Sequence, residues 1–263
     1  MEIIQNMPEK QYRDHPFRSQ SDWKKMRAPT PRHAKDEMDN PKEADKTLVN
    51  GTCFHALSLE NKKIYSFLPD FGDCRSKENK ANKAEFLARH EGQILLSQDN
   101  AHIIEGMTKG IQENSGAKAI LDSASHREIS LFHEGGKCRI DFVFPLGIGD
   151  LKSTKGADLF SFSKSLEKYG YHIQAAHYLD MAAIAGFPCE NFYIIAVENF
   201  APFCCAIYTI GHQSLEIGRK ELKRLRDLYE SCEKSGIYPG YSEDAVEINL
   251  PIWKLMQEEK GEF

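Results

Sequence analysis

Lys137-Cys138-Arg139-Ile140-Asp141-Phe142-Val143-Phe144 and, after a Pro145-Leu146-Gly147 turn, Ile148-Gly149-Asp150-Leu151-Lys152-Ser153 are the stretch around which the chain is organised. The first run alternates and predicts a strand. Cys138, Ile140, Phe142 and Phe144 fall on one face, with Lys137, Arg139 and Asp141 on the other. In the second, a period of two puts Asp150 and Lys152 on one face and Leu151 on the opposite one. Two adjacent strands would thus bring two carboxylates and an ammonium together over an otherwise apolar sheet. Such a group suits a hard divalent cation, which prefers oxygen ligands. A lysine beside it could hold an attacking water or offset charge on a phosphate. An isolated Asp-x-Lys string is common by chance, and on a strand face such residues are usually just solvated. The acid upstream and the amphipathic helix downstream set this one apart.

Upstream, 127–134 reads as a strand closed by the Gly135-Gly136 hairpin signal. Glu128 opens that strand and, read alone, is as consistent with a surface glutamate as with a site residue. Gly51 to Leu57 is a compact helix with His55 among small and apolar residues, which by itself suits a hydrogen-bonded core histidine. Phe86, Leu87, Ile94, Leu95, Ile103, Ile104, Met107 and Ile111 recur at helical intervals, so 84–115 is expected to form one or two core-packed helices. Downstream, 158–168 predicts a short helix capped by Asp158. A longer helix over 171–186 carries Gln174, Tyr178 and Met181 on one face and a small-residue face of Ala175, Leu179, Ala182 and Ala183. Segments 191–197 and 203–210 read as buried strands, and 214–235 as a charged amphipathic helix.

The 263 residues, 41% of them hydrophobic, are enough for one large domain or two small ones. A formal net charge of −5 gives no global basic footprint, so a nucleic-acid ligand would need a local basic surface. The polar first ten residues carry no apolar run of the signal-peptide kind, and the longest apolar stretches are too short to span a bilayer. A soluble cytoplasmic protein with reduced thiols is the expectation, with no membrane partner. The first 49 residues are polar, with Pro29, Pro31 and Pro41 interrupting any long helix. Ser21 is a candidate cap for a short helix anchored by Trp23, and part of 28–46 is a candidate for disorder. The tail over 243–263 is acidic with apolar punctuation, suited to packing back or to serving a neighbouring subunit.

The order Arg139-Ile140-Asp141, then Asp150-Leu151-Lys152-Ser153-Thr154, then Tyr171-His172-Ile173-Gln174-Ala175-Ala176-His177-Tyr178 resembles the PD-(D/E)xK nuclease superfamily. More narrowly it is similar to the RecE-type, exonuclease VIII-like branch of phage recombination exonucleases. Tyr12 to Pro16 and the serine-led 19–25 segment resemble the start of those proteins. The proline expected before the first acid is Ile140 here, a departure that RecE-like relatives tolerate.

The resemblance implies an α/β, restriction-endonuclease-like core with a central mixed β-sheet flanked by helices. It implies an N-terminal arm over 1–49 lying against the core, a nuclease domain over 50–242 and a C-terminal tail over 243–263. It assigns His55, Asp141, Asp150 and the Leu151 backbone carbonyl to the metal. Lys152, Asp141 and Asp150 become catalytic, Gln174 and Tyr178 orienting, and Glu128 a helper to the second metal or the water. Lys155 and Arg139 become DNA contacts. The implied cofactor is Mg²⁺, and a histidine ligand would also admit Mn²⁺. The implied activity is 5′–3′ digestion of linear double-stranded DNA, leaving 3′ single-stranded overhangs for recombination. The implied partners are DNA ends, a ring-shaped homo-oligomer (trimer or tetramer) and a single-strand annealing protein, in a bacterial host cytoplasm if the chain is phage-encoded. A single-strand exonuclease, a structure-specific endonuclease and a non-catalytic DNA-end-binding module are the alternatives. Some superfamily members hold an iron–sulfur cluster on one upstream and three clustered downstream cysteines. Cys53, Cys189, Cys204, Cys205 and Cys232 lack that clustering, so no iron–sulfur cluster is expected.

Overall fold

The computed structural model describes residues 1–41, 46–73, 75–188 and 190–259. The first part of the chain supplies β1 (Glu2–Gln5), α1 (Glu9–Asp14), β2 (Arg18–Ser19), α2 (Gln20–Lys24), α3 (Pro31–Asp39), α4 (Lys46–Glu60), β3 (Tyr65–Phe67) and α5 (Lys77–Arg89). β4 (Ile94–Leu96), α6 (Gln98–Glu113) and α7 (Ser115–Asp122) lead into β5 (His126–His133), β6 (Gly136–Phe144) and β7 (Gly147–Thr154). Then follow α8 (Leu159–Lys168), α9 (Tyr171–Ala185), β8 (Phe192–Glu198), β9 (Cys205–Thr209), α10 (His212–Ser235) and α11 (Ile252–Glu259).

Local chemistry explains the central hairpins. Glu134 and Gly135, both at positive φ (41° and 81°), make the two-residue turn from β5 to β6, where His133 pairs with Gly136. Pro145 and Leu146 make the next turn, between the paired residues Phe144 and Gly147. β7 and β8 run parallel, and the α8–α9 segment is their crossover. The sheet runs β1-β5-β6-β7-β8-β9, with β2 also on β6, and is mixed. On one face, Ala175, Leu179 and Ala182 of α9 pack with Cys138, Ile140, Ile148 and Ile194. On the other, Phe54 of α4 and Ile104, Met107 and Ile111 of α6 pack with Phe142, Phe144, Leu151 and Ile195. α10 lies so close to α9 that a Cβ at Gly218 would sit 2.3 Å from the His172 carbonyl oxygen, a space only glycine leaves open.

The alternation expected for 137–144 breaks in the middle. Cys138 and Ile140 join the α9 side, whereas Phe142 and Phe144 join the α4–α6 side. The break lies at Asp141 and Glu128. The ladder pairs Arg127 with Phe142 and Ile129 with Ile140 but forms no pair between them, and Glu128 has φ 49°. A left-handed backbone at a non-glycine residue costs about 1–3 kcal/mol. It turns both strands over, so residues on either side of it exchange faces.

β6 also forks. β5 occupies one edge along the strand, so β7 (paired at 142–144) and β2 (paired at 136–137) share the other edge. Between those two pairings the edge is open, and Asp141 sits in the opening.

The arm is woven into this sheet: β1 is its outer strand beside β5, and the buried Lys137 ammonium donates to the carbonyls of Tyr12, Arg13 and His15 at 2.7, 3.2 and 2.9 Å. The cap of α2 is Ser19 rather than Ser21, because Asp22 returns its carboxylate to the Ser19 N–H at 2.8 Å and completes a capping box. Pro31 starts α3 at a position where its missing N–H is harmless. Segment 84–115 is interrupted by β4, which pairs with β3, and α5 buries no residue, so Phe86 and Leu87 do not join the core. Along 245–256 the tail leaves Val246, Ile248, Ile252 and Trp253 exposed. Among the described residues no helix is long and apolar enough to cross a membrane.

Candidate active site at the strand fork

Where β6 and β7 part, side chains replace the backbone ladder. The Leu151 N–H donates to Asp141 Oδ2 at 2.7 Å, so the carboxylate bridges the two strands. From α4, His55 Nδ1 comes within 3.4 Å of the same oxygen and within 3.8 Å of Glu128 Oε1. One ligand atom each from His55, Glu128 and Asp141 lies within 4.8 Å of the others, a spacing a single cation could span. The backbone turn at Glu128 is what swings that side chain into the group.

On the α9 side of the fork, Asp150 is held by two partners. Gln174 Nε2 donates to its Oδ1, and the Lys152 ammonium pairs with its Oδ2. The second contact is an ion pair to a fully buried oxygen. A buried carboxylate oxygen costs stability unless a cation meets it, and here the Lys152 ammonium does so. Lys152 also stands 4.9 Å over the Tyr171 ring.

The electrostatics report a surplus of negative charge. Burial and the neighbouring Asp150 push the Asp141 carboxyl up to about 8. Burial pulls His55 down, but Asp141, Glu128 and Asp150 outweigh it and hold the imidazole up to about 9. Burial likewise works against the Lys152 ammonium and is outweighed by Asp150 and Asp141, so its pKa is raised. The Asp141, Glu128 and Asp150 carboxylates crowded around one imidazole are an oxygen-rich donor set that fits a hard divalent cation.

His55, Asp141, Asp150, Lys152, Gln174 and Glu128 therefore meet at the fork. Leu151 contributes its N–H to Asp141, and its side chain is buried with Phe142 and Ile195. Tyr178 lies one turn beyond Gln174, buried against Phe192, and burial drives its hydroxyl pKa far up. Lys155 is exposed just past the end of β7. Arg139 lines a cleft of about 590 Å³ with His55, Glu128, Thr52, Pro8 and Asn6. Its guanidinium is engaged by Glu9 at 2.6 Å, the Met7 carbonyl at 3.0 Å and Ser130 at 3.2 Å.

Two participants escaped the sequence reading. Lys24 of α2 donates to the Tyr169 carbonyl at 3.0 Å, and burial together with the nearby Lys152 lowers its pKa to about 8. No spacing could have linked it to residues more than a hundred positions away. Tyr171, three residues before Gln174, did carry a signal: a tyrosine opening the helix that bears the site. The described cysteines, Cys53, Cys138, Cys204, Cys205 and Cys232, are free thiols outside the fork, while Cys74 and Cys189 lie outside the described residues.

A mixed sheet between helical layers, with two acids and a lysine at the mouth of a strand fork, defines a restriction-endonuclease-like fold. The chain belongs to the family described as "PDDEXK-like domain of unknown function", which matches residues 19–250. Its fold is similar to a crystal structure from Eubacterium rectale described as "Putative exonuclease", with a TM-score of 0.61 and 15% sequence identity. That similarity covers 96% of this chain and 98% of the other. No curated protein matches the chain.

Proposed function

We propose that the protein is a metal-dependent nuclease acting on linear double-stranded DNA. We take its mode to be 5′–3′ exonucleolytic, leaving 3′ single-stranded overhangs for recombination. The observation that carries the reading is the convergence of Asp141, Asp150 and Lys152 with His55 at the fork, on a chain of the PDDEXK-like family. The name of the Eubacterium rectale neighbour supports the exonuclease mode.

His55, Glu128, Asp141 and Asp150, with the Leu151 carbonyl carried over from the resemblance, would hold Mg²⁺ or Mn²⁺. A divalent cation there supplies Lewis-acid polarisation of the scissile phosphate and a water acidic enough to attack it. Gln174 fixes the Asp150 carboxylate through its Oδ1 and so keeps Oδ2 aimed at the fork. Lys152, kept charged by Asp150 and Asp141, is suited to orient the attacking water and to offset charge on the phosphate. Tyr178, one turn further along the same helix, packs against Phe192 and takes the orienting role that the resemblance assigns to it. DNA ends are the proposed ligand, with Lys155 and Arg139 on the phosphates. A ring-shaped homo-oligomer and a single-strand annealing partner follow from the RecE-type resemblance.

The test uses linear duplex, single strands and closed circles with Mg²⁺ or Mn²⁺. Digestion of linear duplex that disappears in both Asp150→Ala and Lys152→Ala supports the reading. Undiminished digestion in both variants removes the fork as the site, and nicking of closed circles replaces the exonuclease with an endonuclease.

A further inference from the structure

Next to the fork, four aromatic rings form a stack that leads to the surface. Tyr208 lies on Phe162 (5.1 Å between centroids, 9° between planes), Phe162 on Tyr171 (6.1 Å, 27°) and Tyr171 on Tyr169 (5.6 Å, 28°). Phe162 is buried, whereas Tyr169 is 50% exposed. Ammonium groups are interleaved with the rings. Lys152 stands over Tyr171 at 4.9 Å and Lys168 over Tyr169 at 5.3 Å. One helical turn back, Lys164 stands over the exposed Phe160 at 3.9 Å.

This surface is basic. Many lysines elsewhere are paired with carboxylates, among them Lys35, Lys118 and Lys223. Among the described residues, Lys155, Lys164 and Lys168 have no carboxylate partner. The two acids of this segment are already occupied: Asp158 caps the Ser161 N–H at 3.0 Å, and Glu167 pairs with Arg27 at 3.0 Å.

The Tyr169 backbone is held from behind by the N-terminal arm. Lys24 donates to the Tyr169 carbonyl, and Arg27 to the carbonyls of Glu167 and Lys168 at 3.1 and 3.3 Å. Gly170, at φ 62°, makes the turn that sets Tyr169 beside Tyr171. A half-exposed ring on a fixed backbone loses little freedom when a flat ligand covers it. Aromatic faces flanked by free cations are how single-stranded nucleic acid is bound without sequence preference. Tyr169 is also within a few nucleotides of Lys152, at roughly 3.4 Å of strand per nucleotide.

We propose that Tyr169, stacked on Tyr171, is a platform for an unpaired nucleobase of the strand whose phosphate reaches Lys152, with Lys164 and Lys168 holding the flanking phosphates. The inference rests on the nuclease reading and sharpens it, because a base on Tyr169 must have left its complement. The strand next to the cut is therefore engaged single-stranded, even when the substrate is a duplex.

The experiment measures binding apart from cleavage. Fluorescence anisotropy follows a labelled oligothymidylate, and the same strand with abasic sites, in EDTA. Metal-dependent digestion is assayed in parallel. Tyr169→Ala should weaken oligothymidylate binding by on the order of tenfold, while Tyr169→Trp retains it. The abasic strand should bind wild type and Tyr169→Ala alike. Equal binding of oligothymidylate by wild type and Tyr169→Ala overturns the platform, even if digestion proceeds. Tyr169-dependent binding by a wild-type protein that digests nothing retains the platform and removes the nuclease reading. A wild-type protein that neither binds nor digests removes both.

Discussion

Loading the fork with a divalent cation should stabilise the folded protein, and more so as the pH rises. Asp141, pushed up to about 8, and His55, held up to about 9, both bind protons more tightly folded than unfolded. A group with a raised pKa contributes stability at low pH that is lost as the pH climbs through its folded value. Between the ordinary imidazole value of about 6.5 and about 8, the folded site retains a proton that the unfolded chain has given up. Taken as one shared proton, this makes the metal-free fold lose about 1.4 kcal/mol per pH unit in that window. A cation among His55, Glu128 and Asp141 displaces the proton and removes the penalty. At a hundredfold excess over Kd it contributes about 2.7 kcal/mol, and for a domain of this size that raises Tm by roughly 5–10 °C. Thermal unfolding at about pH 6 and about pH 8, with and without Mn²⁺ or Ca²⁺, measures it in the wild type and in Asp141→Asn. An equal shift in Asp141→Asn, or a shift no larger at the higher pH, would refute the reasoning.

Lys152→Met should abolish cleavage and also destabilise the fold by about 3–5 kcal/mol, because it leaves the Asp150 carboxylate buried without its cation; chemical denaturation checks the second effect. Gln174→Leu removes a hydrogen bond to a buried carboxylate, costing about 1.5–3 kcal/mol, and should lower kcat more than it raises KM in steady-state digestion. Lys137→Met strips three carbonyls of the arm of their donor, so limited proteolysis within residues 1–17 should accelerate while the sheet core stays protected. Gly218→Ala forces a methyl against the His172 carbonyl and should cost about 1–3 kcal/mol, read as a lower Tm.

Much of the fold could be read locally. The period-two runs over 127–134, 137–144 and 148–153 mark β5, β6 and β7, since alternation is a property of neighbouring residues and turn chemistry fixes the hairpins between them. The Asp158 cap and the Gly186 end of α9 are equally local, the latter because glycine accepts φ 76°. The motif acids, Lys152 and Gln174 could be named because β6, β7 and α9 follow one another closely in the chain.

Local pattern suffices for the central strands, the α9 helix and the kinds of side chain they carry. Packing in three dimensions sets the change of face in β6 at Asp141, because the strained turn at Glu128 depends on a partner strand. It alone decided that β1 joins the sheet, that α5 stays outside the core, and that Lys24 reaches the turn beside Lys152. Each of these is a contact between segments distant in the chain. Its energy comes from desolvation and pairing in three dimensions, which no local pattern encodes.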